Sequence, residues 1–346
     1  HSLESKSLQK ILLFIASLFY FNSLFAKDEI KSWQGIHETP LSRLEQQFAE
    51  PPVEFANHVI WGWEGKMDKK TICNDLDSIK KKGFRAVIFE AGYKLPFKYL
   101  SEEWFKAIRT GVLEAKKRGM KVWIIDEGKY PSGFAGGKFS QERPDLRMQA
   151  LVIGDTIQIK RGEVMTNHKI APEIISAVAV STSGAPNRTV AINNGEISFN
   201  AGLDDWKILL VKSDFRTAVT RAVNNPNGGK DATNSLCDYL NPVAVQQFID
   251  WTHEQYKKYL GKELGTTVLG FRGDEPDYAH LPWTPSIVQT FKDTKGYDPT
   301  PYLASFFTTS PTIQEQRVKA DYWDVWSSLF ATHFFKLQAD WCAANG

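Results

Sequence analysis

Residues 266–278, TTVLGFRGDEPDY, join a β-branched and aromatic run to a charged end. Such a run predicts a buried strand, and the charges that follow it, from Arg272 to Glu275, would lie at one edge of a sheet. Because Pro276 has no backbone donor and disfavours a helical conformation for Glu275, we expect the carboxylates at the mouth of the strand. Catalytic residues of barrel enzymes lie at the same place, although an ordinary turn with solvated acids is the alternative interpretation.

Three earlier segments repeat the order of a strand and an amphipathic helix. Residues 58–63, 84–89 and 120–125 are short strand-like runs. Asp68 and Ser101 are expected to cap the helices that follow the first two, and each helix stops at a glycine. Strands that alternate with helices and read as continuous apolar runs predict a parallel sheet covered by helices.

The alternation of strands and helices stops between residues 151 and 222. There the sequence shows β-type alternation interrupted by Asn-Asn-Gly and Ser-Gly turns, which predicts an inserted β-rich subdomain. We therefore expect an α/β protein, a (β/α)8 TIM-type barrel that ends after about four β/α units. A doubly wound open sheet is the structural alternative, but no G-x-G-x-x-G follows the first strand.

The predicted organisation has five parts. From the N-terminus they are a signal peptide (1–26), a lead-in segment (27–56), the first half of the barrel portion with strands 1–3 (57–150), the inserted β-rich subdomain (151–222), and the barrel continuation with strand 4 and its helices (223–346). Because a barrel needs eight strands, the chain is expected to end before the barrel is complete.

The N-terminal segment predicts export. Lys6 and Lys10 precede an apolar run at residues 11–25 that is shorter than a membrane span, and a small residue and polar residues follow it. We expect a secreted or periplasmic protein without stable membrane association after cleavage, and an uncleaved anchor is the alternative. With 42 basic and 40 acidic residues, the chain has no global charge that would attract nucleic acid.

The predicted strand ends bring acids and aromatic rings to one rim. Cleavage of a glycosidic bond requires one carboxyl group that protonates the departing oxygen and a second that activates water or attacks the sugar. We assign Glu275 as the general acid and expect its pKa to be raised by Asp274 and by partial burial. The candidate substrate-binding residues are Trp61, Trp63, Glu90, Asp126, Glu127, Arg272 and Asp274.

Five ordered blocks of the sequence carry a resemblance to a known family. They are VIWGWEGKMDKKTICNDLDSIKKKGFRAVIFEAG (59–92), VWIIDEGKYPSGFAGGKF (122–139), CDYLNPVAVQQFIDWTHEQYKKYLG (237–261), LGFRGDEPDY (269–278) and KGYDPTPYL (295–303). This set resembles the alpha-L-rhamnosidase-type glycoside hydrolases of family 106. The resemblance implies a secreted polysaccharide-degrading enzyme with a barrel core, an inverting mechanism, and a calcium ion that helps to bind the sugar.

Other functions stay open at this point. The DEP tripeptide is also similar to the Asn-Glu-Pro of retaining barrel glycosidases of other families, from which Asp274 departs. A carbohydrate-binding protein on a degenerate barrel is the alternative without catalysis. Since the second catalytic carboxylate is expected on a later strand, we expect the chain as given to be inactive or nearly so.

Overall fold

The computed structural model describes residues 40–50, 57–128, 130–216, 235–278 and 280–346. The chain divides into two compact units, residues 1–56 and 57–346. In the first unit, Leu41–Ala49 forms an exposed helix, α1, in a segment for which the sequence predicted only a polar lead-in. The predicted signal peptide lies outside the described residues. None of the helices in the described ranges is long and apolar enough to cross a membrane.

The strands and helices of the second unit are as follows. The strands are β1 (His58–Trp63), β2 (Ala86–Ala91), β3 (Lys121–Ile125), β4 (Gln149–Ile159), β5 (Val164–Lys169), β6 (Ile174–Ser181), β7 (Arg188–Val190), β8 (Ile192–Asn193), β9 (Glu196–Asn200), β10 (Trp206–Phe215), β11 (Val268–Arg272) and β12 (Pro282–Trp283). The α-helices are α2 (Lys69–Lys81), α3 (Glu102–Lys117), α4 (Lys138–Glu142), α5 (Pro242–Trp251), α6 (His253–Leu260), α7 (Ile287–Lys295), α8 (Ile313–Leu329) and α9 (Lys336–Asn345).

A four-stranded parallel sheet has the order β1-β2-β3-β11, which follows the order of the chain. The expected caps are present, because the side chains of Asp68 and Ser101 accept hydrogen bonds from Thr71 N and Trp104 N at the starts of α2 and α3. The prediction of an α/β fold with a parallel sheet is therefore confirmed.

Helices α2, α3 and α6 share one apolar core with one face of this sheet. An added Cβ at Gly111 of α3 would lie 2.9 Å from the Phe89 ring, so only a glycine lets the helix approach this closely. The opposite face carries Ile60, Ile88 and Trp123, which lie at matched positions on neighbouring strands. Ile60 on this second face is 48% exposed.

The residues from β4 to β10 form two antiparallel sheets. The larger has the order β12-β4-β10-β6-β7 and the smaller the order β5-β9-β8. The larger sheet is completed by β12, which lies far along the chain and pairs Pro282 with Ala150. Its β4 begins at Gln149, while the predicted end of the subdomain near residue 222 lies outside the described residues.

The β-rich region shares a core with the C-terminal helices. Leu151, Val178 and Val211 from the larger sheet belong to the same apolar cluster as Tyr322 and Val325 of α8. A π-helical segment, Phe330–Phe335, separates α8 from α9. The start of α8 is held by a capping box between Thr312 and Glu315.

Candidate active site

The two tryptophans expected to bind sugar pack in the core. Trp63 is 0% exposed, and its ring lies 5.0 Å from Phe89 and 5.7 Å from Trp104 between ring centroids. Trp61 is partly buried and contacts Trp63 with a centroid distance of 5.4 Å. The end of β1 therefore places Trp63 against α3, inside the apolar core. Its indole Nε1–H has no hydrogen-bond partner among the described residues.

Glu90 near the end of β2 is half-buried and lies on the opposite face of the sheet from Trp63. An added Cβ at Gly62 on β1 would be 3.6 Å from Glu90 Oε2, which places this carboxylate over the neighbouring strand. Glu64 and Tyr93 nearby are exposed. The ends of β1 and β2 therefore offer one half-buried acid and a polar surface, with the tryptophans turned away.

The ends of β3 and β11 are joined by a chain of hydrogen bonds. The Asp126 amide donates to the Arg272 carbonyl at 3.2 Å, which extends the pairing of the two strands. Beyond it, the Asp274 amide donates to Ser132 Oγ at 2.7 Å, and Ser132 Oγ donates to Asp126 Oδ1 at 2.7 Å. The sequence named both aspartates but missed Ser132, because a serine in a polar loop carries no distinguishing signal.

Asp126 is a buried carboxyl group. It is 2% exposed, and burial raises its pKa to about 7. The negative charge of Asp274 raises the pKa further, whereas the hydrogen bond from Ser132 opposes the rise. Asp126 can therefore exchange a proton near neutral pH.

Glu127 supports a loop. It is 0% exposed, and its carboxyl oxygens accept hydrogen bonds from the amides of Gly128 at 2.7 Å, Gly136 at 3.1 Å, and Ala135. Burial raises the pKa of Glu127 to about 8, and the three amide donors oppose this rise. The amides of Gly128, Ala135 and Gly136 thus tie the glycine-rich residues 133–137 to the buried Glu127 carboxyl group, which supports this loop.

Glu275 is exposed, so the partial burial expected for it is wrong. The segment of residues 273–278 forms neither helix nor strand, and Glu275 follows a residue that is only half-buried. Its amide donates to Asp274 Oδ1 at 3.2 Å. Arg272 is likewise exposed at the end of β11.

Tyr130 and Arg216 complete the surroundings of this segment. Burial raises the pKa of Tyr130, and the negative charges of Asp277, Glu275 and Asp274 raise it further. Arg216 Nη2 lies 3.1 Å from Asp277 Oδ2, and Arg216 Nη1 donates to the Asp277 carbonyl at 3.1 Å. Arg216 was not predicted, because it lies 61 residues from Asp277.

A cleft of about 350 Å³ opens beside these residues. It is lined by Asp126, Asp274 and Glu275 together with His253, Phe271, Phe334, Phe335 and Gln338. Burial lowers the pKa of His253 to about 3, so its ring is neutral, and its Nδ1 lies 2.8 Å from Thr252 Oγ1. The cleft thus combines acids with apolar rings, a pairing suited to a sugar with polar edges and an apolar face.

The resemblance implied a calcium ion, and the arrangement of acids was tested for one. Among the described residues, no group of three or more His, Cys, Asp or Glu side chains is arranged to hold a metal ion. The oxygens of Glu127, which would be a candidate ligand, already accept backbone hydrogen bonds. The described side chains therefore do not fit a calcium site.

Comparisons with known proteins identify the family to which this chain belongs. The chain is 23% identical over 359 aligned positions to a protein of Formosa agariphila that carries the provisional name beta-glucuronidase; the match covers 88% of this chain and 30% of that protein. The rhamnosidase of Novosphingobium sp. PP1Y has a similar fold, with a TM-score of 0.61 at 15% identity, over 89% of this chain and 46% of that one. This chain therefore spans less than half the length of either relative. The alpha-L-rhamnosidase family, glycoside hydrolase family 106, matches residues 166–345, slightly more than half of the chain, and the chain belongs to this family.

Proposed function

We propose that this chain carries part of the active site of a glycoside hydrolase that cleaves alpha-L-rhamnosides, with Glu275 as the general acid. The observation that carries the proposal is the hydrogen-bond chain Asp126–Ser132–Asp274, which joins two strand ends beside one cleft. Membership of the family supports the reaction class. Acids held at neighbouring ends of parallel strands are the arrangement that glycosidic cleavage uses on barrel scaffolds.

Glu275 is the acid best placed to contact a substrate. It is exposed at the rim of the cleft, whereas Asp126 is buried and hydrogen-bonded beneath it. A bound sugar would exclude water from Glu275 and supply the desolvation that the free protein lacks. Glu275 would then protonate the departing glycosidic oxygen. Asp274 would accept hydrogen bonds from sugar hydroxyls, and Arg272 would donate hydrogen bonds to them. We assign the partner carboxylate to a strand other than the four of the described parallel sheet.

The experiment compares leaving groups in the native polypeptide that contains this chain. A general acid matters for a poor leaving group and hardly for a good one, because a good leaving group departs without protonation. Glu275→Gln should lower kcat on a methyl or phenyl alpha-L-rhamnoside by roughly 100-fold or more and leave a 2,4-dinitrophenyl rhamnoside nearly unaffected. Glu173→Gln, at an exposed glutamate in the β-rich region, is the control. Equal losses on both substrates would remove Glu275 from the acid role, and binding without turnover by the wild type would favour a carbohydrate-binding protein.

A glucuronide substrate is the second candidate. A relative of this chain carries a glucuronidase name, and Arg272 is an exposed cation beside the cleft. A guanidinium group pairs with a carboxylate such as that of a uronic acid. Under this alternative, Arg272→Ala would reduce kcat/KM for an aryl beta-D-glucuronide far more than for an aryl alpha-L-rhamnoside. Rhamnoside turnover without glucuronide turnover would exclude it.

We also propose that the parallel sheet is part of a (β/α)8 barrel. Its strand order follows the chain, its helices cover one face, and the face that they leave bare carries Ile60, Ile88 and Trp123. In a closed barrel that face becomes the packed interior. An experimental structure of the native polypeptide with an open, doubly wound sheet would contradict this proposal.

Export remains part of the proposed function. The basic, apolar and small-residue order of residues 1–26 supports cleavage of a signal peptide and release into the periplasm or medium. Cell fractionation with N-terminal sequencing of the mature protein tests it. Full-length protein that stays entirely in the cytoplasm would contradict it.

A further inference from the structure

The buried hydroxyl of Ser132 has two partners that belong to different strand ends. Ser132 is 1% exposed, and its Oγ donates to Asp126 Oδ1 and accepts from the Asp274 amide, both at 2.7 Å. A hydroxyl group can serve as donor and acceptor at once, which no carboxylate or ammonium group can do. The Ser132 amide also donates to the Asp274 carbonyl, at 3.3 Å. Two hydrogen bonds therefore connect Ser132 with Asp274.

The segment that carries Glu275 has few other attachments. At its start, the Arg272 carbonyl accepts from the Asp126 amide. At its end, Asp277 pairs with Arg216, and the Tyr278 ring lies 4.7 Å from that of Trp326. Between these anchors, Asp274 makes two hydrogen bonds to another segment of the described chain, and both are with Ser132. Loss of the hydroxyl would leave the longer bond from the Ser132 amide to the Asp274 carbonyl as the one described hydrogen bond that ties Asp274 to another segment.

Asp126 determines the direction in which the Ser132 hydroxyl points. Because Asp126 Oδ1 accepts the hydrogen bond that the Ser132 hydroxyl donates, the lone pairs of Ser132 Oγ are left to accept the hydrogen bond from the Asp274 amide. Each bond in such a chain polarises the next. An added Cβ at Gly273 would lie 3.6 Å from Asp126 Oδ2 and 3.7 Å from Ser132 Oγ, so the backbone of the acid-bearing segment passes directly over this pair. Asp126 thus acts on the segment through Ser132.

We propose that Ser132 is a positioning residue, whose hydroxyl clamps the Asp274–Glu275 segment to the buried Asp126 and fixes the direction of the Glu275 carboxyl. The clamp itself is a statement about the fold, and its catalytic consequence rests on the proposed function. The two parts are tested by different measurements, so that failure of one is distinguishable from failure of the other.

The clamp is tested by amide hydrogen exchange at Asp274. Ser132→Ala should raise the exchange rate of this amide roughly tenfold, the effect of losing one buried hydrogen bond. Ser132→Cys keeps the volume but bonds weakly and should behave like alanine, whereas Ser132→Thr keeps the hydroxyl and should restore protection. Ser176→Ala is the matched control, because Ser176 is also buried and its Oγ accepts the Ala304 amide at 3.0 Å. Unchanged exchange at Asp274 in both Ser132→Ala and Ser132→Cys would overturn the clamp.

The catalytic consequence is tested by kinetics on the native polypeptide. Ser132→Ala should lower kcat on a rhamnoside with a poor leaving group by roughly 10- to 100-fold with little change in KM. The reason is that a misplaced acid slows proton transfer more than it weakens binding. The loss should shrink on a 2,4-dinitrophenyl rhamnoside and be reversed in Ser132→Thr. Faster exchange at Asp274 with unchanged kcat would overturn the positioning role. A wild type that cleaves no glycoside would refute the proposed function, and the exchange result would still decide the clamp.

Discussion

The ends of β1 and β2 and the ends of β3 and β11 look alike in sequence but differ in structure. Each pair joins apolar strands to acids and aromatic residues. At β1 and β2, the tryptophans turn into the helix-covered core and Glu90 lies on the other face. At β3 and β11, Asp126 and Asp274 meet through Ser132 beside a cleft. The comparison teaches that pairing fixes the face to which a residue near a strand end points, whereas a residue past the last pair is directed by loop contacts.

The alternation of side chains along a strand explains the difference. Val59, Trp61 and Trp63 share one face of β1 because successive side chains point to opposite faces, and that face is covered by α2 and α3. Asp126, Asp274 and Glu275 follow the last residues of β3 and β11, where alternation no longer constrains them. Their directions are set by loop contacts instead.

The largest expected effect is the loss of stability when the packing of Trp63 at the end of β1 is removed. Trp63→Ala should destabilise the fold by about 3–5 kcal/mol, because it leaves a cavity among Trp61, Phe89 and Trp104. Trp63→Phe should cost less, since it also removes a buried indole N–H that has no partner among the described residues. Urea denaturation measures both, with Trp61→Ala as a partly buried control. Unchanged stability with lost sugar binding would return Trp63 to the stacking role predicted from the sequence.

Substitution of Glu127 at the end of β3 has a smaller expected effect and distinguishes a role in loop support from a role in substrate binding. Glu127→Ala should cost about 3 kcal/mol, because the amides of Gly128, Ala135 and Gly136 lose their acceptor. Glu127→Gln should cost less, since it keeps the volume and one acceptor oxygen. Denaturation curves and hydrogen exchange over residues 133–137 report the change. A variant with a stable, protected loop and weakened sugar binding would show that Glu127 contacts substrate.

The last effect is a pH dependence that arises at the end of β3 and not at the end of β1. Burial raises the pKa of Asp126 to about 7, above its value in the unfolded chain, so the folded state holds more protons than the unfolded state between pH 4 and 7. The contribution of Asp126 to the free energy of unfolding is complete below about pH 4. It is lost as the pH rises towards 7, by on the order of 1 kcal/mol per pH unit. Asp126→Asn should flatten this slope in denaturation experiments from pH 5 to 8.

Asp145 provides the control for the pH experiment. The Arg143 side chain lowers the pKa of this exposed carboxyl, so its contribution is lost on acidification and has the opposite sign. Asp145→Asn should leave the slope between pH 5 and 8 unchanged. An Asp126→Asn variant with the same slope as the wild type would show that Asp126 is not buried as the structure places it.

The sequence predicted the strands better than the site. Residues 58–63 were predicted as a strand and are β1, and the cap at Asp68 was predicted correctly, because strand preference and capping depend on neighbouring residues. The burial of Trp63 was missed, since alternation shows that Trp61 and Trp63 share a face but not which face the helices cover. The exposure of Glu275 was missed because no local pattern reports how deeply a loop is buried.

Local sequence was sufficient for the elements of the α/β fold and for naming Asp126, Asp274 and Glu275 as candidates, because propensities, caps and apolar periodicity act within a few residues. Contacts between distant parts of the chain were needed for everything that gives these acids a role. Ser132 and Asp274 are separated by 142 positions, and Arg216 and Asp277 by 61. No short-range pattern encodes such pairs, since the hydrogen bonds form only when β3 and β11 lie side by side and bury the hydroxyl between them.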